Sequence, residues 1–345
     1  MSVFVSGATG FIAKHIVGQL LEQNYKVIGT VRSQTKINLL NKQFGNNPNL
    51  TLEIVEDISK PNAFDEVIRK HAKEIKYIIH TASPFHFETT EYVKDLLNPA
   101  IQGTKGILES IKKYAADTVE RVVITSSYAA IKTFERENDS TFIVDESNWN
   151  PDDWEACQAN AGRAYCGSKK LAEKAAWDFL EKNRDIVQFK LSTVNPAYVF
   201  GPQRFDDDVT TKLNTSCELV NSLIHTPSDG LFKPAGIYAG YVDVRDVAKA
   251  HLIAFQSKEA VGQRLMLYAG KFSSQDIADI LNEDFDCLKG QIPIGKPHMG
   301  VLGVGPQGCI IDNSKTRRIL SFELVNLKKT IHDTAAQILK YEGKL

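Results

Sequence analysis

Ser2-Val3-Phe4-Val5-Ser6-Gly7-Ala8-Thr9-Gly10-Phe11-Ile12-Ala13 is the stretch on which the fold is decided. A short apolar run ends in two glycines three residues apart, and an amphipathic stretch from Phe11 to Glu22 follows at once. Glycines there permit a tight turn and let backbone amides approach a pyrophosphate, which the positive end of the next helix attracts. Small Ala13 lets that helix pack closely on the strand. A glycine pattern alone is weak evidence. Its place between a first strand and a first helix assigns Gly7, Thr9, Gly10, Phe11 and Ile12 to dinucleotide binding.

Outward from this turn, β-branched runs alternate with helical patterns. Lys26 to Val31, Leu52 to Val55, Tyr77 to His80, Val122 to Thr125 and Phe189 to Val194 read as strands. Such alternation implies parallel strands joined by right-handed crossovers, an α/β fold with a doubly wound parallel sheet of Rossmann type. After Asn195-Pro196 the chain becomes rich in Gly, Pro and Asp, with helices expected at Ser216 to Ile224, Val244 to Gln256 and Leu327 to Tyr341. The expected division is a nucleotide-binding domain over residues 1–200, with a later return near 238–262, and a smaller C-terminal substrate lobe over 201–345.

Composition narrows the function. Lys plus Arg number 41 against 42 Asp plus Glu, a net charge of −1, so nothing sequence-wide attracts nucleic acid or anionic lipid. Hydrophobic residues make up 43%, yet no run of 18 apolar residues or signal-peptide pattern occurs, and Pro297 to Ile311 reads as a loop. Five scattered cysteines and eight histidines form no metal-ligand spacing, so no metal site is expected. A reducing, cytoplasmic location is the expectation, with a small molecule as partner and no nucleic acid or membrane. The sequence leaves the oligomeric state open, a homodimer included.

A cofactor without a 2′-phosphate usually meets an acidic residue at the end of the second strand. Here no Asp or Glu occurs from Gln23 to Leu52, while Arg32 and Lys36 stand at that position. A guanidinium forks onto a phosphate and offers little to two ribose hydroxyls. The expected cofactor is therefore NADP(H).

Two Tyr-x-x-x-Lys pairs occur, Tyr128 with Lys132 and Tyr165 with Lys169. Only the second opens a strong helix-forming stretch, in which positions four apart share a face. Ser126 and Ser127 end the fifth strand, at the sheet edge where ligands of such folds bind. Hydride delivery to a carbonyl builds an alkoxide, which needs a hydrogen-bond donor and then a proton. A Ser and Tyr165 can supply these, and the Lys169 ammonium is expected to lower the phenol toward working pH.

With Thr125-Ser126-Ser127-Tyr128, Ala164-Tyr165-Cys166-Gly167-Ser168-Lys169 and Gly240-Tyr241-Val242-Asp243-Val244-Arg245-Asp246-Val247-Ala248, the chain resembles an extended short-chain dehydrogenase/reductase. It is most similar to the fungal NADPH-dependent methylglyoxal reductase/3-methylbutanal reductase group and to dihydroflavonol reductases. The resemblance implies Ser127 as catalytic serine, Tyr165 as acid and Lys169 as the ribose-binding residue that tunes it. It places Asp57 and Ile58 at the adenine, Thr81, Ala82 and Ser83 along the dinucleotide, and Pro196, Val199 and Ser216 near the nicotinamide. One departure is the fourth helix, where Pro99-Ala100-Ile101-Gln102-Gly103-Thr104 lacks the Asn of many relatives.

Phe85, Tyr128, Phe134 and Tyr198 follow strand ends and are expected to line an aromatic substrate mouth, with Phe87 beside Phe85. The resemblance implies reduction of aldehydes and ketones with hydrophobic substituents to alcohols. A sugar-nucleotide epimerase or dehydratase would need a polar nucleotide-binding lobe, and a non-catalytic NADP(H) sensor would be expected to lose part of the Ser, Tyr, Lys trio. Replacing Arg32 with Ala is expected to erode the preference for NADPH over NADH, read as the ratio of kcat/KM for the two cofactors. An unchanged ratio would move phosphate recognition elsewhere.

Overall fold

A computed structural model describes residues 1–83, 89–233 and 237–345. Every residue of β1 (Ser2–Ser6) is buried, as a central parallel strand requires. Val3 and Val5 point to one face and Phe4 to the other, following the two-residue period of a strand. On the first face they meet Ile16, Val17 and Leu20 of α1 (Phe11–Glu22). After β2 (Lys26–Val31), α2 (Gln34–Gln43), β3 (Leu50–Ile54), α3 (Asp65–His71) and β4 (Ile75–His80), the opposite face is covered by α4 (Asn98–Tyr114). Its Ile107, Leu108 and Ile111 join Phe4 in the second core cluster.

The chain continues through β5 (Arg121–Thr125), β6 (Ile143–Val144), α5 (Ala161–Lys182), β7 (Lys190–Pro196), β8 (Tyr198–Phe200), α6 (Thr215–Ile224), β9 (Tyr238–Asp243), α7 (Val244–Gln256) and β10 (Arg264–Leu267). Seven strands form the main sheet in the order β10-β7-β5-β4-β1-β2-β3, all pairs parallel. Strand order reverses between β1 and β4, and ligands of doubly wound sheets bind at the carboxyl edge of such a reversal. Ser6, His80, Thr125 and Pro196 are the last residues of β1, β4, β5 and β7, so the topology itself gathers the segments that follow them.

The remaining elements are β11 (Gly270–Ser273), α8 (Ser274–Asp284), α9 (Val301–Val304), β12 (Ile310–Ile311), α10 (Ser314–Leu320) and α11 (Leu327–Tyr341). β8, β9 and β11 make a second sheet in the order β11-β9-β8, and a separate cluster joins Phe200 and Phe272 to Ile277, Leu281, Ile331 and Ile338. Asp243 ties this cluster to the main sheet's helices. It caps α7 through the Arg245 amide (2.9 Å) and accepts from Thr330 Oγ1 of α11 (2.9 Å), while Arg245 Nη1 reaches Asp333 Oδ2 at 2.6 Å. A buried carboxylate is tolerable because its lone pairs are filled this way.

Three sequence readings need adjustment. The third strand starts at Leu50 and not Leu52. The strand read as Phe189 to Val194 runs on to Pro196 because β10, which periodicity did not reveal, pairs with Asn195 and Pro196. The segment Pro297 to Ile311 holds one helical turn and the strand β12, which pairs with β6 over a separation no local pattern records. Among the described residues, no helix is long and apolar enough to cross a membrane, and no cluster of three His, Cys, Asp or Glu suits a metal ion.

Candidate active site

One deep cleft of about 1990 Å³ runs from the first glycine turn to the second sheet. At its cofactor end, Gly7 adopts φ +68°, and a Cβ there would lie 3.0 Å from Ala82, so glycine is needed both for the turn and for the close approach of β1 and β4. Gly10 N–H bonds back to Gly7 O at 3.0 Å, and Gly7 N–H to Thr30 Oγ1 at 3.1 Å. Gly10 caps α1 without a side-chain partner. The first amides of α1 thus face the cleft walled by Gly10, Phe11 and Ile12, a place suited to a phosphate.

Arg32, just beyond β2, lines the same cleft with Asp57 and Ile58. The Asp57 carboxylate accepts from Ser59 N (2.9 Å) and Ser59 Oγ (2.6 Å), which holds its pKa below the usual value and fixes the loop. Thr81 and Ser83 line the wall after β4, and Pro196, Val199 and Ser216 lie further along. Four expected cofactor residues are not cleft walls. Gly7 and Ala82 shape the turn beneath it, Thr9 belongs to that turn, and Lys36 projects from the exposed first turn of α2, whose geometry is set by Ser33 accepting from the Lys36 amide.

At the other end Ser127, Tyr165 and Lys169 converge. Ser127 sits where β5 ends, its Oγ accepting from Ala129 N at 3.1 Å and lying 3.5 Å from Pro196 O. Its hydroxyl is also hydrogen-bonded to Tyr165. Asn160 caps α5 by accepting from Arg163 N at 2.9 Å, which starts the helix one turn before Tyr165 and puts Tyr165 and Lys169 on one face. Lys169 Nζ donates to Ser83 Oγ at 3.0 Å and stands 5.6 Å from the Tyr165 ring centroid.

The expectation that Lys169 lowers the phenol is corrected here. Burial pushes Tyr165 up to about 12, outweighing the Ser127 bond that pulls it down. The ammonium is directed at Ser83, and desolvation lowers it to about 8. The phenol therefore keeps its proton at neutral pH. The other pair is engaged elsewhere: Lys132 Nζ is bound to Glu137 (2.6 Å) over the Phe134 ring, and Tyr128 packs edge-on against Tyr268.

Tyr128, Phe134 and Tyr198 border the cleft; Phe85 and Phe87 lie outside the described residues. Tyr198 stacks on Phe200 and meets Phe272 edge-on. From the second half of the chain come walls that the sequence reading missed, Tyr238, Tyr268, Lys271 and Cys309. No local pattern marks them. Also missed was Glu173, fully enclosed, which accepts from Ser126 Oγ (2.6 Å), Asn195 Nδ2 (2.7 Å), Thr193 Oγ1 (3.0 Å) and Arg264 Nε (2.6 Å). Here a signal existed: Glu173 follows Lys169 by four residues on the same helix face.

The chain is similar to known proteins over its whole length. Residues 3–267 match the model of the NAD dependent epimerase/dehydratase family. The chain is 59% identical, over the full length of both, to an NADPH-dependent methylglyoxal reductase of Saccharomyces cerevisiae. It superposes on the crystal structure of yeast methylglyoxal/isovaleraldehyde reductase complexed with NADPH with a TM-score of 0.97, at 58% identity and with both chains fully covered. A Candida albicans relative, also solved with NADPH, gives a TM-score of 0.94 at 48% identity, covering 99% of each chain.

The ammonium that faces the cleft exists below a pH of about 8 and is lost above it. NADPH affinity, followed by quenching of protein fluorescence, is expected to weaken as pH rises through that value; constant affinity would remove Lys169 from cofactor binding.

Proposed function

The chain belongs to the NAD dependent epimerase/dehydratase family, and from that premise we propose how its residues divide the work of NADPH-dependent carbonyl reduction. The residues suit this cofactor: open amides at the start of α1, an exposed guanidinium at Arg32 beside the cleft, and no acidic side chain between Gln23 and Leu52 to meet a 2′-hydroxyl. When bound, NADPH supplies the hydride. Arg32 holds the 2′-phosphate, Asp57 and Ile58 flank the adenine, and Lys169 holds the ribose.

The observation that carries the reading is the bonded pair Ser127 and Tyr165 in the cleft wall, with Lys169 one helical turn on. The carbonyl oxygen sits between the two hydroxyls. As the carbonyl carbon takes the hydride, the oxygen gains charge, which the Ser127 O–H stabilises without reorganisation. Tyr165, protonated because it is buried, gives its proton to that oxygen and the alcohol leaves. The phenolate that remains takes a proton from water entering the cleft as the alcohol departs, which restores Tyr165 for the next turnover.

The aromatic mouth of Tyr128, Phe134 and Tyr198 favours aldehydes and ketones with hydrophobic substituents. Methylglyoxal and 3-methylbutanal, named for the yeast relatives, are the first substrates to try. All five cysteines are free thiols, in keeping with a reducing, cytoplasmic setting.

The test mixes the protein with NADPH and a panel of aldehydes, aryl ketones and diketones while cofactor absorbance is followed. Tyr165→Phe is expected to lower kcat by about 10²–10⁴-fold with NADPH affinity nearly unchanged, since only the proton donor is deleted. No oxidation across the panel by the wild type, or undiminished turnover by the variant, would overturn the scheme.

A further inference from the structure

His80, at the end of β4, is an enclosed imidazole that the mechanism leaves unused. Its neighbours fix its tautomer. Ser6 Oγ receives the amide protons of Thr81 and Ala82, both at 3.1 Å, which fills the two lone pairs of a hydroxyl. The one proton of Ser6 must therefore go to His80 Nδ1, 2.8 Å away. Nδ1 accepts, so the ring proton of the neutral imidazole is on Nε2. Burial and the nearby Lys169 charge hold the imidazole down to about 3, so it is neutral at neutral pH.

Nε2–H is thus a donor, buried, and without a partner among the described residues. Buried donors are normally satisfied, by ordered water where protein offers nothing. His80 borders a small void of about 10 Å³, shared with Thr104 of α4, Thr125 of β5, and Lys169 and Glu173 of α5. That is room for one water, which needs two to four polar partners. Thr125 is one. His251 Nδ1 is bound to Val247 O (2.7 Å), so its Nε2 takes the Thr125 proton (2.7 Å) and leaves Thr125 Oγ1 able to accept.

We propose that one buried water fills this void, accepting from His80 Nε2 and from the Lys169 ammonium and donating to Thr125 Oγ1, and that His80 is thereby a positioning residue for Lys169. The titratable groups bordering the void are His80, Lys169 and Glu173, and the Glu173 oxygens are already committed to Ser126, Thr193, Asn195 and Arg264. The water holds the rear of the ammonium while Ser83 Oγ takes another of its protons. A hydrogen bond to the charged form favours that form, so the water keeps Lys169 protonated against the desolvation that lowers it. The catalytic benefit assigned to the water rests on the reductase reading; its presence does not.

The first test is a crystal structure of the protein with NADPH at a resolution that shows ordered solvent. One water within about 3.2 Å of both His80 Nε2 and Lys169 Nζ is expected. An empty void, or a protein atom bonded to Nε2, would overturn the site. The second test measures NADPH affinity against pH, with no carbonyl present, for His80→Leu and for Thr104→Ile, whose added methyl group would occupy the small void that Thr104 borders. The alkaline fall is expected to move about one pH unit lower in each, and His80→Gln, whose amide can donate in place of Nε2, restores it. Turnover should fall by about tenfold in His80→Leu. If His80→Leu does not fold, Thr104→Ile carries the measurement. An unmoved limb in the folded variants would overturn the positioning role. A shifted affinity limb with no carbonyl reduced by the wild type would instead keep the water and overturn only the function.

Discussion

The site depends on one carboxylate, Glu173, enclosed in the interior. A charge that deep is tolerable only with its lone pairs filled and a counter-ion in contact. Glu173 obtains both, from Arg264 on β10, Thr193 and Asn195 on β7, and Ser126 beyond β5. Arg264 is itself held by Glu146 O and packs over the Trp149 ring at 3.8 Å. In one cluster the start of β10, the second half of β7 and the residue after β5 are tied to the helix that carries Tyr165 and Lys169. Breaking such a pair typically costs about 3–5 kcal/mol, so the relative placement of Ser127 and Tyr165 is strongly determined. Asn195 Nδ2 also donates to Ser127 O at 3.2 Å, which extends the constraint to the serine backbone.

The rest follows from topology. Strand-order reversal at β1 and β4 opens the sheet edge, the glycine turn offers amides there, and the second sheet closes the other side of the cleft. Asp243 joins the halves by capping α7 while receiving Thr330 of α11. The environment then sorts two neighbouring groups. The same loss of water that keeps the Tyr165 phenol protonated pulls the Lys169 ammonium down to about 8, giving an acid that holds its proton until charge develops beside it.

Much of this was legible in the sequence because it is local. The turn at Gly7 to Gly10 lies between adjacent elements, Tyr165 and Lys169 are one helical turn apart, and α7 and α11 have the bounds expected from the sequence. What was not legible is what depends on distant partners. Arg264 meets Glu173 across 91 residues, β12 pairs with β6, and Tyr238 and Tyr268 reach the cleft from β9 and the end of β10. The effect of Lys169 on the phenol was misjudged for the same reason. Spacing puts the two side chains on one face but says nothing of how much water is lost around them or that Ser83 takes the ammonium's proton.

The central claim is that two hydroxyls, from β5's end and from α5, meet on one substrate oxygen. A crystal structure of the ternary complex with NADP and a slowly reacting alcohol product tests it most directly. The account predicts that oxygen within about 3 Å of both Ser127 Oγ and Tyr165 Oη, with its carbon facing the nicotinamide. An oxygen bound instead by Tyr128 or Lys132, with Tyr165 out of reach, would contradict it.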